Sequence, residues 1–335
     1  MNVLQAVLGD DFLDKTPPQF KGSVLANILG YSIFRTLFHN LGRIRPKKIR
    51  KEFQPYLDIM ERDGILVIPD FFPENIFMEI KKEFDQAYAG WDPMYVNPDE
   101  FTKRMKDFPD YFQTIAEKII TPDTPAFNEY FVKNELITEI TESVVHKKIR
   151  LKPYRHFWYL KRRKLDKEGD KSFHNAAYPH ADVFYPTIKV FLYLNDVDEK
   201  NAAYIFAKGT HKLSLRRLIL EYKLSVRFAK NNNDVSTNDD DISYLGSKSE
   251  SICGKANTLI ISNNMGYHNR GFFSSLAPRQ TAQLDFRNLE TWRNRLTRTG
   301  NEKDLFSRVS RKFVKSMDKA KKEKIRASLG YNNMS

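Results

Sequence analysis

The chain has 335 residues, a formal charge of +13 and one cysteine, Cys253. The length suits one sizeable domain with extensions, and the 41% share of hydrophobic residues excludes wholesale disorder. A single cysteine excludes an intrachain disulfide and a thiolate metal cluster, and it favours a reducing, cytoplasmic location. The first residues lack a basic region ahead of an apolar stretch, so we expect no secretory signal. The positive charge suits an anionic substrate, an anionic membrane, nucleic acid or simply a lysine-rich surface.

Residues 22–41 carry apolar side chains at the spacing of an amphipathic helix, and a basic run follows at 43–51. Such a pair can lie on an anionic membrane, or the helix can dock on its own domain beside a solvated basic connector. The docked helix is preferred, because long apolar helical faces usually belong to a core. Residues 1–55 are therefore interpreted as an N-terminal helical and basic extension, with peripheral membrane contact as the alternative.

The next segment combines a strand with helices. Residues 65–69 are predicted to form a short strand, and a helix is predicted to begin near Pro73. A second helix is predicted across Asn128–His146, where apolar residues recur on one face. The lysine-rich residues 296–335 are interpreted as a basic, helical C-terminal extension.

From about residue 147 the pattern changes to short strands. Segments such as PTIKVFLYLND, NTLIISN and TAQLDFR are rich in β-branched or aromatic residues and are separated by polar loops. Many short strands with irregular connections favour a sandwich or jelly roll over a parallel sheet. Two long loops, at 161–178 and 229–251, are interpreted as lids or binding loops, and 229–251 is predicted to be mobile.

His180-Ala181-Asp182 is the segment that suggests chemistry. If residues 178–184 form a strand, the imidazole and the carboxylate project to the same face. His268, which follows an apolar strand and a turn, is the candidate for a third ligand. Two histidines and one carboxylate leave open positions on a metal, which is the arrangement of iron(II) oxygenases. Alone, a His-x-Asp sequence is a weak signal because it occurs often by chance.

Four segments, in this order, resemble the phytanoyl-CoA dioxygenase family. They are GILVIPDFFPENIF, NELITEITESVVHKKIRL, PHADVFYPTIKVFLYLNDVDEKNAAYIFAKGTHK and GYHNRGFFSSLAPRQTAQLDF. The ordered set is more specific than any single piece. The resemblance implies a mainly β fold with flanking helices, built on a double-stranded β-helix (a cupin-like jelly roll). It places this oxygenase domain at 56–295, between extensions at 1–55 and 296–335.

The resemblance also implies roles for individual residues. His180, Asp182 and His268 match the iron(II) ligands of the family. Arg279 matches the arginine that grips the far carboxylate of 2-oxoglutarate, because a planar guanidinium pairs bidentately with a carboxylate. The implied activity is that of an iron(II)/2-oxoglutarate-dependent dioxygenase with O2 as co-substrate. Related halogenases lack the carboxylate, so Asp182 favours hydroxylation or another oxidation.

Three positions depart from the family's pattern. The usual Asn-Gly pair is Asn201-Ala202, and Lys208 replaces the proline before Gly-Thr-His. Both changes lie in a turn, so altered loop geometry is expected rather than lost chemistry. Arg270 stands where a small hydroxylated residue often helps to hold 2-oxoglutarate, so the resemblance does not extend to that contact.

Further pocket residues follow from strand alternation. If 154–160 is a strand beside the His-x-Asp segment, His156, Trp158 and Leu160 share one face and line the cavity near the iron. Ordinary packing of these side chains is an equally good interpretation. His174, in the basic loop, is a candidate to approach the substrate, whereas His211 is expected to be structural.

The motif does not specify a substrate, since one fold and one metal chemistry serve many substrates. The positive charge favours a small or lipid-linked anionic metabolite, and nucleic acid is not expected. The alternative function is a catalytically silent jelly-roll binding protein, recruited to an anionic membrane or to nucleic acid. An intact ligand set together with Arg279 argues against it. The sequence does not determine the oligomeric state.

Overall fold

The computed structural model describes residues 28–40, 49–88, 114–119, 124–145, 154–162, 178–182, 186–231, 237–275 and 277–286. The helices are α1 (Tyr31–Asn40), α2 (Gln54–Asp63), α3 (Glu74–Ala87), α4 (Glu135–Val144), α5 (Leu215–Asn231) and α6 (Asp239–Tyr244), with a 3-10 turn at Lys51–Phe53 and a π-helical segment at Phe127–Val132. The strands are β1 (Ile65–Ile68), β2 (Thr114–Ile119), β3 (Tyr154–Arg162), β4 (Ile188–Tyr193), β5 (Tyr204–Ala207), β6 (Ser249–Ile252), β7 (Leu259–Asn263), β8 (His268–Arg270) and β9 (Arg279–Phe286). Among these described helices, none combines the length and apolar character needed to cross a bilayer.

Two antiparallel sheets carry the fold. The larger has the strand order β1-β7-β4-β9-β3-β2, and the smaller has the order β6-β5-β8. Every strand pair between the described strands is antiparallel, and neighbours in each sheet are mostly distant in the chain. Two such sheets with flanking helices form a jelly roll. The predicted fold class is therefore confirmed.

Strand alternation divides the larger sheet into an outer face and an inner face. On β4, Ile188, Val190 and Leu192 are buried in the main core with helical residues such as Phe84 and Phe131. The intervening side chains point the other way, so Phe191 and Tyr193 pack with residues of the smaller sheet. We call the side that faces the smaller sheet the inner face. It is the side on which a jelly roll holds its cavity.

The predicted helix Asn128–His146 is interrupted in the structure. The π-helical segment ends at Val132, and α4 begins afresh at Glu135. Asn134 causes the new start, because its side-chain oxygen accepts a hydrogen bond from the backbone N–H of Ile137 at 3.2 Å. This is an N-cap, which satisfies one of the free donors at the start of a helix.

The prediction of one continuous loop at 229–251 is wrong. Helix α5 reaches Asn231, and α6 and β6 lie within the predicted loop. Asn238 and Asp241 form a capping box at the start of α6, in which each side chain accepts a hydrogen bond from the other residue's N–H. Strand β6 then pairs with β5. Of the other predicted loop, 161–178, all but the three end residues lie outside the described residues.

Helix α1 packs against α5, as the docked interpretation of the N-terminal segment requires. The hydroxyl of Tyr222 on α5 donates a hydrogen bond to the carbonyl of Ile28 at 3.1 Å. Leu29 and Leu37 remain exposed, at 76% and 41%. Membrane contact through this region stays a prediction, and residues 43–48 and 296–335 lie outside the described residues.

His211 packs on the C-terminal end of α2. Its Nε2 lies 3.2 Å from the carbonyl oxygen of Glu61. Its ring lies against Gly64, which ends α2 with a φ of +78°. A side chain at residue 64 would collide with the imidazole. These contacts support a structural role for His211.

We expect the metal-free protein to lose stability as the pH falls from about 7 to about 5, in part through His211. Burial lowers the pKa of His211 from 6.5 to about 4. Between these values the unfolded chain binds a proton that the native protein does not, so the free energy of unfolding decreases by up to about 2 kcal/mol. Urea unfolding in EDTA at both pH values measures this loss. His211→Gln should reduce it, and an equal loss in the variant would contradict the assignment.

Candidate metal centre

His180 and His268 are brought together by their own backbones. Each residue's N–H donates a hydrogen bond to the other's carbonyl at 2.9 Å, which forms an isolated antiparallel bridge. Directly opposed residues of such a bridge place their side chains on the same face. The two ring centroids lie 4.6 Å apart. Residues 183–185 lie outside the described residues, so the predicted strand 178–184 is visible only as this bridge.

Asp182 completes a cluster of three ligand atoms that all lie within 4.8 Å of one another. Its N–H donates to the carbonyl of Asn264 at 3.1 Å, which fixes the backbone beside the bridge. Its Oδ1 lies 3.7 Å from Nε2 of His180 and 3.5 Å from Nε2 of His268. The structure thus brings the three predicted ligands to one place.

Backbone carbonyls orient both imidazoles. Nδ1 of His180 lies 2.8 Å from the carbonyl of Tyr178, and Nδ1 of His268 lies 3.0 Å from the carbonyl of Gly266. Because a carbonyl only accepts hydrogen bonds, each Nδ1 carries a proton, which leaves Nε2 as the ring nitrogen that can bind a metal. This is the tautomer that a metal requires.

The charges around the cluster also favour the ligand forms. Burial lowers the pKa of His180 to about 4, with a further contribution from His268, so the imidazole is neutral near pH 7. Burial alone would raise the pKa of Asp182, but the Lys189 ammonium and the two imidazoles outweigh it and hold the pKa well below 3.8. A neutral His180 imidazole and an ionised Asp182 carboxylate are the result.

Asn264 contacts both the Asp182 carboxylate and the His268 imidazole. Its Nδ2 lies 3.0 Å from Oδ2 of Asp182 and 3.1 Å from Nε2 of His268. The residue is fully buried, and its Oδ1 accepts no hydrogen bond within the described residues. A buried acceptor of this kind suits a donor that a bound ligand or a water would supply. The donor set fits iron(II), since adjacent ligands about 2.1 Å from one ion lie roughly 3 Å apart.

Arg279 lies at the start of β9 in an enclosed position. One of its Nη atoms donates to the carbonyl of Ala202, which has a φ of +61°. Burial lowers the pKa of Arg279, and Tyr193 and Tyr204 partly offset this. No carboxylate pairs with this guanidinium in the described part of the chain. A partly buried cation of this kind suits an anionic ligand.

Tyr204 connects Arg279 to the cluster. Its ring centroid lies 5.5 Å from that of His268, and its hydroxyl is 2.8 Å from Oγ of Ser262. Burial raises the pKa of Tyr204 well above 10; Asp182 raises it further and Arg279 lowers it. Both charged groups therefore act on one phenol, so the cluster and Arg279 belong to the same interior.

The predicted pocket residues of β3 share the inner face. His156 lies opposite Gln283 and Trp158 lies opposite Thr281 on β9, and their ring centroids are 5.9 Å apart. Leu160 packs with Ala202 and Phe273. Contact of these residues with a substrate stays a prediction. His174 lies outside the described residues.

Three residues at the site were not predicted from the sequence: Lys189, Tyr204 and Asn264. Lys189 alternates with core residues along β4, and this period-two pattern was a signal that it faces inward. Tyr204 shares a face of β5 with the buried Phe206, two residues on. Asn264 had no such signal, because its position depends on how the turn after β7 folds.

No protein-family model and no curated protein matches the chain. It is similar to the solved structure of HygX from Streptomyces hygroscopicus with nickel and 2-oxoglutarate bound, at 14% identity and a TM-score of 0.42, over 72% of this chain and 87% of that one. It is similar to the non-haem α-ketoglutarate-dependent epimerase SnoN from nogalamycin biosynthesis, at 14% identity and a TM-score of 0.43, over 75% and 90%. It is also similar to EctD from S. alaskensis with 2-oxoglutarate and 5-hydroxyectoine, at 14% identity and a TM-score of 0.45, over 72% of this chain and 79% of that one.

Proposed function

We propose that this protein is a non-haem iron(II), 2-oxoglutarate-dependent dioxygenase, acting as a hydroxylase. The observation that carries the proposal is the cluster of His180, Asp182 and His268, whose ligand atoms all lie within 4.8 Å. Both imidazoles bond a backbone carbonyl through Nδ1, which leaves Nε2 for a metal, and the carboxylate is held ionised beside them. Two histidines and one carboxylate are the ligand set of iron(II) oxygenases.

The protein's residues have distinct parts in the reaction. His180, Asp182 and His268 would hold the iron, and Arg279 would bind the distal carboxylate of 2-oxoglutarate. When bound, iron with 2-oxoglutarate and O2 supplies the oxidant that hydroxylates a substrate C–H bond, with succinate and carbon dioxide as the other products. The buried phenols of Tyr193 and Tyr204 line the interior beside Arg279 and limit its exposure to water.

The proposed substrate is a small or lipid-linked anionic metabolite. The formal charge of +13 supports an anionic partner. If the charge serves the substrate, neutralising the basic residues 161–164 should weaken substrate affinity and leave metal binding unchanged. We further propose a cytoplasmic location, supported by a single cysteine, Cys253, which is exposed.

The competing proposal is a catalytically silent binding protein on the same scaffold. The intact donor set, the ordered imidazole tautomers and the enclosed Arg279 all favour the enzyme. A scaffold without catalysis would have no need to enclose most of a guanidinium and of an ionised carboxylate, since both cost free energy to bury.

The proposal is tested by anaerobic titration with iron(II) and 2-oxoglutarate, followed through the weak visible charge-transfer band. Wild type should develop the band and His180→Ala should not, because one ligand is lost. His211→Gln removes a different buried imidazole, which is not among the three clustered ligands, and should retain the band. A folded wild type without the band would contradict the oxygenase and favour the binding protein.

A further inference from the structure

Lys189 brings a positive charge into contact with the proposed iron ligands. It lies on β4 between two outward-facing core residues, so its side chain is on the inner face. Its Nζ lies 2.6 Å from Oδ2 of Asp182, and the lysine side chain is 23% exposed. A partly enclosed charge is screened less by water than a surface charge, so it acts strongly at this distance.

The two oxygens of Asp182 have different partners. Oδ2 is held by Lys189 and by Nδ2 of Asn264. Oδ1 faces the two imidazoles at 3.5 and 3.7 Å. Since Oδ2 is already engaged by two donors, Asp182 presents one oxygen to a metal ion. A coordination position that a two-oxygen carboxylate would occupy is thereby kept for another ligand.

A second carboxylate lies near Lys189 but does not pair with it. Asp285 on β9 is directly opposite Lys189 across the sheet and is buried. Its Oδ1 accepts a hydrogen bond from Nε2 of Gln283 at 2.7 Å. These contacts therefore direct the charge of Lys189 toward Asp182.

We propose that Lys189 is a positioning residue that keeps Asp182 a one-oxygen ligand and offsets its charge, so that metal and 2-oxoglutarate bind cooperatively. This inference rests on the proposed function. Among the groups in contact, a divalent ion, Asp182 and Lys189 sum to two positive charges (two minus one plus one). One carboxylate of 2-oxoglutarate would offset part of that positive sum, while its other carboxylate is assigned to Arg279. The metal alone is held weakly, and each ligand strengthens the binding of the other by the same factor.

The test compares Mn2+ binding, followed by EPR of the free ion, with and without 2-oxoglutarate. In Lys189→Met, Mn2+ alone should bind about tenfold more tightly, and 2-oxoglutarate should bind the Mn2+ form about tenfold more weakly, because a nearby positive charge is lost. Lys189→Arg should resemble wild type. Lys255→Met removes a lysine paired with Asp196 at 2.7 Å on the surface, and it should change neither constant.

Opposite changes in the affinities for Mn2+ and for 2-oxoglutarate distinguish this role from simple packing. If Lys189 only packs, its removal would weaken the binding of both, and that result, or two unchanged affinities, overturns the inference. Lys189→Gln, which keeps a donor for Oδ2 without the charge, gives a second measurement if the methionine variant does not fold, and the same opposite shifts are expected. A wild type that binds no Mn2+ overturns the proposed function and the inference together. If the wild type binds Mn2+ and 2-oxoglutarate and Lys189→Met binds both with the same affinities, the inference alone is overturned.

Discussion

Replacing Arg279 with leucine is expected to weaken 2-oxoglutarate binding by about a hundredfold or more, while metal binding is retained. The guanidinium is enclosed, and no carboxylate pairs with it in the described part of the chain. Its remaining donors are therefore available to a carboxylate of the co-substrate. Loss of a charge-assisted, bidentate pair in an enclosed site removes a large share of the binding free energy of a small ligand. The constant is measured by titrating 2-oxoglutarate into the anaerobic iron(II) protein.

Two variants make the Arg279 experiment specific. Arg279→Lys keeps the charge but loses the planar pair of donors, so an intermediate loss is expected. Arg227→Leu removes a partly exposed arginine that pairs with Asp241 at 3.0 Å, and it should bind 2-oxoglutarate normally. If Arg279→Leu bound 2-oxoglutarate as tightly as wild type, Arg279 would not be the carboxylate ligand.

Replacing Arg217 with methionine is expected to destabilise the protein by about 3–5 kcal/mol, the usual cost of breaking a buried ion pair. Arg217 is 1% exposed, and its Nε donates to Glu221 at 2.7 Å. Its Nη atoms donate to the carbonyls of Thr210 and, at 3.0 Å, Met265. The variant leaves a buried carboxylate without its cation and frees two carbonyls. Urea unfolding measures the change in free energy.

The matched control for Arg217 removes both partners. In the double variant with Glu221→Leu, no charge is left buried, so much of the lost stability should return. Since Met265 precedes Gly266, whose carbonyl orients His268, the single variant should also weaken metal binding. A single variant within about 1 kcal/mol of wild type would show that the pair is not important for stability.

The sequence was most informative where chemistry and local pattern coincide. His180 and Asp182 are two residues apart, and His268 follows a clear apolar strand, so their convergence could be predicted. Lys189 could be placed on the inner face, but its contact with Asp182 depends on the path of the chain through residues 183–185. The run at 229–251 resembled a loop because its composition is polar. The pairing of β6 with β5 and the capping box of α6 outweigh that composition in the folded protein.

The backbone conformation of Ala202 affects how much entropy is lost when Arg279 binds a ligand. Its left-handed backbone costs an alanine about 1 kcal/mol or more relative to glycine, and its carbonyl accepts the hydrogen bond from Arg279. A glycine at residue 202 would allow the turn many conformations, of which few would place that carbonyl correctly. With alanine, the conformational entropy is lost when the chain folds and not when a ligand arrives. The guanidinium is thus preorganised, at the expense of some native stability.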